Sequence, residues 1–274
     1  MSCRGVCVAL LGLLLFVSGA AAAAGEPLKP VRPWIVNYAA TECKAQRSYG
    51  DEADPTILAI GPSAWGDTYE LMLATKKRGP EYAEEKEGSV DFGHGPIKAW
   101  LLHYGVKGSR PLDVINFRIS GAEMAQAASS SAVTFHAQGR PDVSFTLASV
   151  PALFKTLQDC VSNLQHYWNM VDPEQKKISA PPIGDVRAVF TSNDYPDEAF
   201  SRGQEGTVQF LLFVDEKGAV AACHVLQPSG VPAFDGMGCQ VIRQRVKFKS
   251  ALDADGKPIR SAVVTPPVTW RIER

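Results

Sequence analysis

Cysteines are the residues in this sequence whose types and spacing most clearly suggest chemistry. Beyond the apolar N-terminal stretch they are Cys43, Cys160, Cys223 and Cys239. Their spacing matches no C-x-x-C redox motif and no zinc-binding pattern. An even number of cysteines is typical of disulfides when a chain is exported, and four cysteines allow three pairings. We therefore expect structural disulfides and no metal site.

Catalytic motifs are absent from the sequence. Ser63 lies in Gly61-Pro62-Ser63-Ala64-Trp65-Gly66, which is not the G-x-S-x-G elbow. Gly93-His94-Gly95 lacks the length and the lysine of a phosphate loop. The histidines are isolated from one another, at positions 94, 103, 136, 166 and 224. A charge run formed by Glu81, Glu84, Glu85 and Glu87 is typical of a solvated surface. We expect no catalytic residue, no metal and no cofactor.

The first 24 residues have the pattern of a secretory signal peptide. Arg4 supplies the positive charge, residues 6–17 the apolar core and residues 20–24 a small-residue cleavage zone. Cleavage would remove two further cysteines and leave the four above. The alternative is an uncleaved membrane anchor, because residues 6–24 are almost long enough to span a bilayer.

Length and charge limit the remaining function classes. The chain has 274 residues, enough for two domains, and a formal net charge of -1. A nucleic-acid-binding protein would show a basic excess in one region. The short basic run Arg243, Arg245, Lys247 and Lys249 is typical of a solvated helix end. We expect no nucleic-acid partner.

The first domain is predicted to be rich in β-strands. Short apolar segments separated by Gly, Pro and Asp indicate strands at residues 34–38, 43–49, 56–60, 69–74, 97–104, 114–119, 132–136 and 143–147. A sandwich, a barrel and a strongly bent sheet all fit this pattern. The proline-rich lead at residues 27–33 is predicted to be extended and exposed, and the charged residues 76–88 to form a solvated hairpin loop.

One helix is predicted to close this domain. Ser149 is the expected N-cap, and Pro151 lies in the first turn. An apolar stripe at helical spacing follows at Leu153, Phe154, Leu157, Cys160, Val161, Leu164 and Trp168. The helix therefore packs on the sheet, with Cys160 facing inward.

A connector precedes the last part of the chain. Residues 170–193 contain Pro173, Pro181, Pro182 and Gly184 and few large apolar residues. The predicted division is a signal peptide at 1–24, a β-rich N-terminal domain at 25–170, a linker at 171–193 and a C-terminal domain at 194–274.

The C-terminal domain has the predicted order strand, strand, helix, strand. Residues 206–214 and 219–226 flank a polar turn that ends in Gly218, which indicates a hairpin. A helix begins after residues 229–232, with Phe234, Val241 and Ile242 on one side. Residues 259–272 form the last strand. Its Pro266-Pro267 lacks two N–H donors, so this segment belongs at a sheet edge or a bulge.

These residues and their order resemble the C-terminal domain of the TonB family over residues 195–270. The shared points include Tyr195-Pro196, Gly206-Thr207-Val208, Val214-Asp215 with Gly218, Ser229-Gly230-Val231-Pro232-Ala233 with Asp235, Phe248-Lys249, and Asp253-Ala254-Asp255-Gly256-Lys257-Pro258. The resemblance implies an α+β fold with a three-stranded antiparallel sheet. It also implies a non-enzymatic periplasmic domain that binds extended segments of outer-membrane transporters and passes on energy from an inner-membrane motor.

The binding mode implied by the resemblance is addition of a strand to the sheet edge, where main-chain hydrogen bonds give affinity. The expected edge residues are Ser261, Ala262, Val263, Val264, Thr265, Val268, Thr269 and Trp270. With one cysteine pair in each domain, and Cys160 and Cys239 on helices beside sheets, we expect the disulfides Cys43–Cys160 and Cys223–Cys239.

The sequence departs from the energy-transducing members of the family. Those members carry an uncleaved membrane helix and a long spacer rich in Pro, Lys and Glu, whereas here the leader is cleavable and a folded domain replaces the spacer. We expect a periplasmic protein that binds an outer-membrane TonB-dependent transporter or another envelope protein. An inner-membrane location, and contact with the motor complex, would require an uncleaved leader.

Two other functions remain open at this stage. One is an exported enzyme whose β-rich domain is catalytic and whose C-terminal domain is a docking unit. The other is a purely structural envelope protein. Leu211 and Phe213 lie on the second face of the strand at 206–214. If the helix of the same domain buries this face, no apolar patch is left to bind a partner, which favours the structural function.

Overall fold

The computed structural model describes residues 26–272, and the predicted leader at residues 1–24 lies outside them. The fold is α+β, as predicted, with antiparallel sheets. Nine strands form the sheet of the N-terminal domain: β1 (Ile35–Tyr38), β2 (Cys43–Gly50), β3 (Pro55–Pro62), β4 (Thr68–Thr75), β5 (Glu84–Asp91), β6 (Pro96–Val106), β7 (Leu112–Ser120), β8 (Ala132–Ala137) and β9 (Val143–Thr146). Their order in the sheet is β1-β2-β3-β4-β7-β6-β5-β8-β9.

The proline-rich lead joins the two ends of this sheet. The N–H of Leu28 donates to the carbonyl of Ser144 at 2.8 Å, and the N–H of Thr146 donates to the carbonyl of Leu28 at 3.0 Å. One residue on, the N–H of Gly50 donates to the carbonyl of Lys29 at 3.0 Å. The lead is extended as predicted, but it is paired to β9 and to β2 and not simply exposed. The sheet is therefore strongly bent, with its ends held together.

The prediction of a solvated hairpin loop at residues 76–88 is wrong for its second half, which is the start of β5. This strand lies between β6 and β8. Its interior side is formed by Val90 and by Gly88, where an added Cβ would come within 2.7 Å of the Leu101 side chain. Glu85 and Glu87 point to the opposite face, as alternate strand residues do. The charge run hid a strand because the charged residues of β5 are exposed or half-buried, and Val90 is its one fully buried residue.

Two helices belong to this domain, α1 (Gly121–Met124) and α2 (Val150–Tyr167). The buried stripe of α2 is confirmed, since Leu153, Leu157, Cys160, Val161 and Leu164 are all buried. Ser149 is the N-cap residue of α2, as predicted, but within the described chain it lacks the side-chain hydrogen bond of a typical cap. Its φ is the left-handed value of 61°.

The C-terminal domain contains two helices and six strands: α3 (Asp197–Ser201), β10 (Gly206–Val214), β11 (Val220–Gln227), α4 (Pro232–Arg245), β12 (Ala251–Leu252), β13 (Pro258–Ile259), β14 (Ser261–Val264) and β15 (Val268–Trp270). β10 is central, with β11 on one side and β14 followed by β15 on the other. The prediction of one continuous last strand is wrong. It divides into β14 and β15, because Pro266 and Pro267 cannot donate to a ladder.

The segment assigned to a linker is hydrogen-bonded to the C-terminal domain along its second half. The N–H of Ser179 donates to the carbonyl of Leu252 at 2.9 Å. Ile183 and Lys249 exchange two hydrogen bonds of 2.8 and 3.0 Å, and Val186 is buried in the C-terminal core. The division into domains remains a prediction, and these bonds attach the segment from Ser179 onward to the C-terminal domain.

The two domains share a hydrophobic contact. Phe213 stacks on Trp168, which follows α2, with ring centroids 4.7 Å apart and planes 13° from parallel. Leu211 and Ala222 belong to the same cluster as the core of the N-terminal domain. Beside this contact, the Asn169 side-chain amide donates to the carbonyl of Arg260 at 2.6 Å. The second face of β10 is therefore covered by the N-terminal domain and not by α4.

Both expected disulfides are formed. Cys43–Cys160 joins β2 to α2, and Cys223–Cys239 joins β11 to α4. Each bond ties a helix to the sheet that it packs on. Over residues 26–272, no helix has both the length and the apolar character needed to cross a membrane.

Candidate partner-binding edge

The hairpin that carries β10 depends on the Asp215–Gly218 turn. The Asp215 carboxylate accepts the N–H groups of Lys217 at 2.9 Å and Ala219 at 2.8 Å. Gly218 has a φ of +77°, and an added Cβ there would collide with the carbonyl of Phe248. The turn motif of the sequence thus fixes the register of β10 against β11.

An aromatic cluster packs between β15 and α4. Trp270 stacks on Phe234 of α4, with centroids 5.1 Å apart and planes 5° from parallel. Tyr195 meets both rings edge-on, at 5.3 Å from Phe234 and 5.8 Å from Trp270. Aromatic pairs in such geometries stabilise beyond the area that they bury. This packing explains why Tyr195 and Trp270 mark the two ends of the motif.

An ion pair fixes the chain that enters the domain. Arg245 donates to both carboxylate oxygens of Asp194, each at 2.7 Å. The same carboxylate accepts the N–H of Thr191 at 2.8 Å. The Arg245 guanidinium, together with Thr191, lowers the pKa of Asp194 from 3.8 to about 2. The end of α4 and the segment before α3 are held together by this buried carboxylate.

A β-bulge separates β14 from β15. Val208 pairs with Val268 and Leu211 pairs with Val264, so two residues of β10 lie opposite three residues of the last strand. Thr265 fills the gap, because its hydroxyl accepts the N–H of Phe210 at 3.1 Å and its own N–H donates to the Phe210 carbonyl at 2.9 Å. The bulge absorbs Pro266-Pro267 without leaving the Phe210 N–H unpaired.

The hydrogen bonds of Thr265 show which way the N–H groups of β14 point. In an antiparallel pair, consecutive residues direct their N–H groups alternately toward the partner strand and away from it. The N–H of Thr265 points to β10. The N–H groups of Val263 and Ser261 therefore also point to β10, whereas those of Val264 and Ala262 point away from it. Among residues 26–272, β14 has no second partner strand on that outer side.

All eight predicted edge residues lie along this side of β10, but few of their side chains are accessible. Four are buried, namely Ser261, Thr265, Val268 and Trp270. Ala262 and Val263 are half-buried and Thr269 is exposed. Val264 is 45% exposed and is the one large apolar side chain of the eight that reaches solvent. Apart from Val264 and Thr269, these residues are therefore buried or half-buried.

Three features of the structure were not predicted from the sequence. The bonding role of Thr265 had a signal only in its position before Pro266-Pro267. The capping box of α1, in which Ser120 and Glu123 bond reciprocally, had the S-x-x-E signal. The segment that closes the sheet at Leu28 had no local signal. Within residues 26–272, no group of three His, Cys, Asp or Glu side chains is arranged to hold a metal ion.

Comparison with known proteins identifies the C-terminal region. Residues 191–272 match the family model described as Gram-negative bacterial TonB protein C-terminal. No curated protein matches the chain. The match begins within four residues of the Tyr195 that supports β15, and it contains α3, β10–β15 and α4. The last third of this chain is therefore a C-terminal domain of the TonB family, a family of envelope transport.

Proposed function

We propose that the C-terminal domain binds extended segments of outer-membrane transporters by strand addition along β14. One observation carries the proposal: the N–H groups of Ala262 and Val264 point outward from an edge on which the structure describes no further strand. A bound segment would pair with these groups and extend the sheet. The exposed Val264 side chain would supply the main apolar contact.

The setting proposed for this binding is the periplasm, and the protein is proposed to act without catalysis. The partner is an outer-membrane TonB-dependent transporter or another envelope protein that presents a free extended segment. A role in energy-coupled transport would also require contact with an inner-membrane motor, and thus an uncleaved leader. If the leader is cleaved, the protein binds the same segments without pulling on them.

The test removes the outward-pointing backbone N–H at position 264. Val264→Pro removes one ladder donor and places a ring at the edge, so it should weaken binding at least about tenfold while the melting temperature stays close to that of the wild type. The measurement is titration with a synthetic peptide copied from the N-terminal periplasmic segment of a TonB-dependent transporter of the same organism, with thermal melts alongside.

Two control variants separate the loss of the outward N–H from effects on the side chain and on folding. Val264→Thr keeps the N–H and should bind within about threefold of the wild type. Val263→Pro removes an N–H that points to β10 and should lower the melting temperature. Wild-type affinity in a folded Val264→Pro protein would show that the segment binds elsewhere.

A further inference from the structure

The C-terminal sheet has a second edge, which is β11. The strand order β11-β10-β14 puts β11 and β14 at opposite sides of the sheet. Over residues 26–272, β11 pairs with β10 and with no other strand. An edge strand presents unpaired backbone groups to whatever lies beside it. The space beside β11 therefore decides whether a strand can be added there.

Register gives the direction of the backbone groups of β11. Both backbone groups of Phe210 bond to Thr265, so they point to β14, and by alternation those of Leu212 do the same. Val225 lies opposite Phe210, and Cys223 lies opposite Leu212. The N–H and C=O groups of Val225 and Cys223 therefore point away from β10. Within residues 26–272, these groups take part in no backbone hydrogen bond outside the strand ladders.

A cleft of about 470 Å³ lies along this outer side of β11. The two faces of β11 have different covers, since Ala222 is buried in the core of the N-terminal domain and Cys223 is bonded to Cys239 of α4. Both covers line the cleft, the N-terminal domain through residues of β2, β3, β4, β6 and β7. Cys223 and Val225 line it as well. A space that is lined from both faces of β11 and by the strand itself runs along the edge of that strand.

The length of the cleft matches a short extended segment. Its lining residues on α4 are Pro232, Asp235, Gly236 and Cys239. This spacing of i, i+3, i+4 and i+7 is one side of a helix, and at 1.5 Å per residue it covers about 10 Å. The lining residues of β11, from Cys223 to Leu226, also cover about 10 Å at 3.3 Å per step. A bound strand would thus have about three or four residues inside the cleft.

The two cations that line the cleft are each paired with a carboxylate of the same lining. Lys44 lies 3.1 Å from Glu42. Arg118 lies 2.8 Å from Glu70, and its guanidinium also lies 5.1 Å from the centroid of the Trp100 ring. These charges cancel in pairs, so neither cation is left to attract an acidic ligand.

Two further carboxylates give the cleft a net negative charge. Asp67 and Asp235 line it, and neither forms an ion pair within the part of the chain that the structure describes. Asp67 is exposed and accepts the hydroxyl of Ser63 at 2.6 Å. Asp235 accepts the N–H of Ser229 at 2.9 Å, and burial raises its pKa. A basic side chain in the cleft would complement both carboxylates.

We propose that this cleft binds a short extended segment of a partner protein as an added strand on β11, with a lysine or arginine of the segment attracted by Asp67 and Asp235. The main chain of the segment pairs with the outward groups of Cys223 and Val225. Its apolar side chains lie against Leu102 and its neighbours in the N-terminal domain. The C-terminal sheet is then extended at both edges, and the second site exists only where the two domains meet.

The test is calorimetric titration of the intact exported protein with capped pentapeptides, Thr-Val-Xaa-Val-Thr, in which Xaa is lysine, arginine or glutamate. Their β-branched residues favour an extended strand. We expect saturable binding of the lysine or the arginine peptide, and binding of the glutamate peptide that is weaker by about tenfold or more.

Backbone methylation tests whether the main chain pairs. Two further lysine peptides carry N-methyl groups, one at both valines and the other at the lysine. Consecutive residues of a strand direct their N–H groups to opposite sides, so only one of the two methylation patterns blocks the side that pairs with β11. One of these peptides should therefore bind about tenfold more weakly than the other.

Amide hydrogen exchange locates the added strand in the wild-type protein. With the tighter-binding basic peptide at saturation, exchange should slow at Cys223 and Val225, whose N–H groups point into the cleft. Exchange at Ala262 and Val264 should be unchanged. This measurement needs no variant, and it separates the β11 edge from the β14 edge of the proposed function.

Proline at position 225 removes the outward N–H. Val225→Pro should weaken binding of the basic peptide by about tenfold or more. Val225→Ala is the matched control, because it shortens the side chain and keeps the N–H, and it should bind within about threefold of the wild type. Both variants should still bind the transporter peptide at β14.

The charge of the cleft is tested at Asp67. Asp67→Asn keeps an oxygen for the hydroxyl of Ser63 and should weaken binding of the basic peptide by about threefold. Asp51→Asn is the matched control, because Asp51 is also exposed and accepts a local bond, from the N–H of Ala53 at 2.8 Å, but lies outside the cleft. It should bind as the wild type does.

Four results would overturn the proposal. The first is the absence of saturable binding of both basic peptides up to concentrations on the order of 10 mM. The second is equal binding of the glutamate peptide or of the two methylated peptides. The third is protection in the wild-type protein that is confined to segments other than β11. The fourth is wild-type affinity for the basic peptide in a folded Val225→Pro protein.

Discussion

Both faces of β10 carry large apolar side chains, and the two faces are covered in different ways. Phe210 and Leu212 face α4, which belongs to the same domain. Leu211 and Phe213 face the end of α2, which belongs to the other domain. A strand that is apolar on both faces must be buried on both faces. In this chain the second cover comes from outside the TonB-like domain, so the two domains are expected to depend on each other.

This difference suggests a role for the N-terminal domain. Its helix α2 and Trp168, which follows this helix, cover one face of the C-terminal sheet. The β14 edge lies beside that contact, since Ala262 packs against the same cluster that contains Trp168 and Phe213. The N-terminal domain and α4 thus cover opposite faces of β10.

The largest expected effects come from the two rings that fill these faces. Phe213→Ala and Phe234→Ala should each lower the free energy of unfolding by about 3–5 kcal/mol, because both rings are fully buried. The measurement is urea unfolding followed by circular dichroism. Phe213→Ala should also change the fluorescence of the native protein, because Phe213 stacks on Trp168. A Phe213→Ala protein with wild-type stability would mean that the domains do not share a core.

The disulfide of the C-terminal domain should have the next largest effect. Replacing Cys223 and Cys239 by alanine opens a loop of 16 residues and should cost about 3 kcal/mol in the chain-entropy model. The bond ties β11 to α4, so it acts on the face covered from within the domain. Peptide mapping without reduction identifies the pair, and a cross-domain pair would contradict the account.

A smaller effect is expected from Asp194→Asn. The variant loses the charged hydrogen bonds to Arg245 and should lower the free energy of unfolding by about 1.5–3 kcal/mol at pH 7. The pKa of Asp194 is lowered to about 2 in the folded protein, so its stabilisation is full above the ordinary value of 3.8 and is lost as pH falls through about 2. Urea unfolding at several pH values should show the difference between the two proteins shrinking from pH 4 downward. A difference that is independent of pH would contradict this assignment.

The smallest expected effect is that of cutting the connector. Lys176 and Lys177 are exposed and precede the residues that pair with the C-terminal domain. Trypsin should cut there, and the two fragments should still elute together, because the contact of Trp168 with Phe213 does not depend on the connector. A resistant chain would contradict the predicted division, and separate elution would contradict the shared core.

The sequence was most informative where structure is local. β10 begins and ends at the predicted residues, and Asp215–Gly218 forms the predicted turn. The stripe of α2 and both cysteine pairs followed from periodicity and from one pair per domain. Pro266-Pro267 indicated an edge or a bulge, and the segment has both features.

Features that depend on contacts between distant residues could not be predicted from the sequence. Leu28 closes the sheet by bonding to Ser144 and Thr146, more than a hundred residues away. The charged start of β5 was hidden because strand pairing uses the backbone, whatever the side chains carry. The direction of each N–H at the β14 edge depends on the register set by Thr265, which no periodicity encodes. The cover of Phe213 by Trp168 likewise depends on how the two domains meet.

Amide hydrogen exchange at the β14 edge tests strand addition most directly. When the transporter peptide is added at saturation, exchange should slow at Ala262 and Val264, whose N–H groups point outward. Ser261 and Val263 already donate to β10 and should change little. Protection confined to other segments, with unchanged exchange at Ala262 and Val264, would contradict strand addition at this edge.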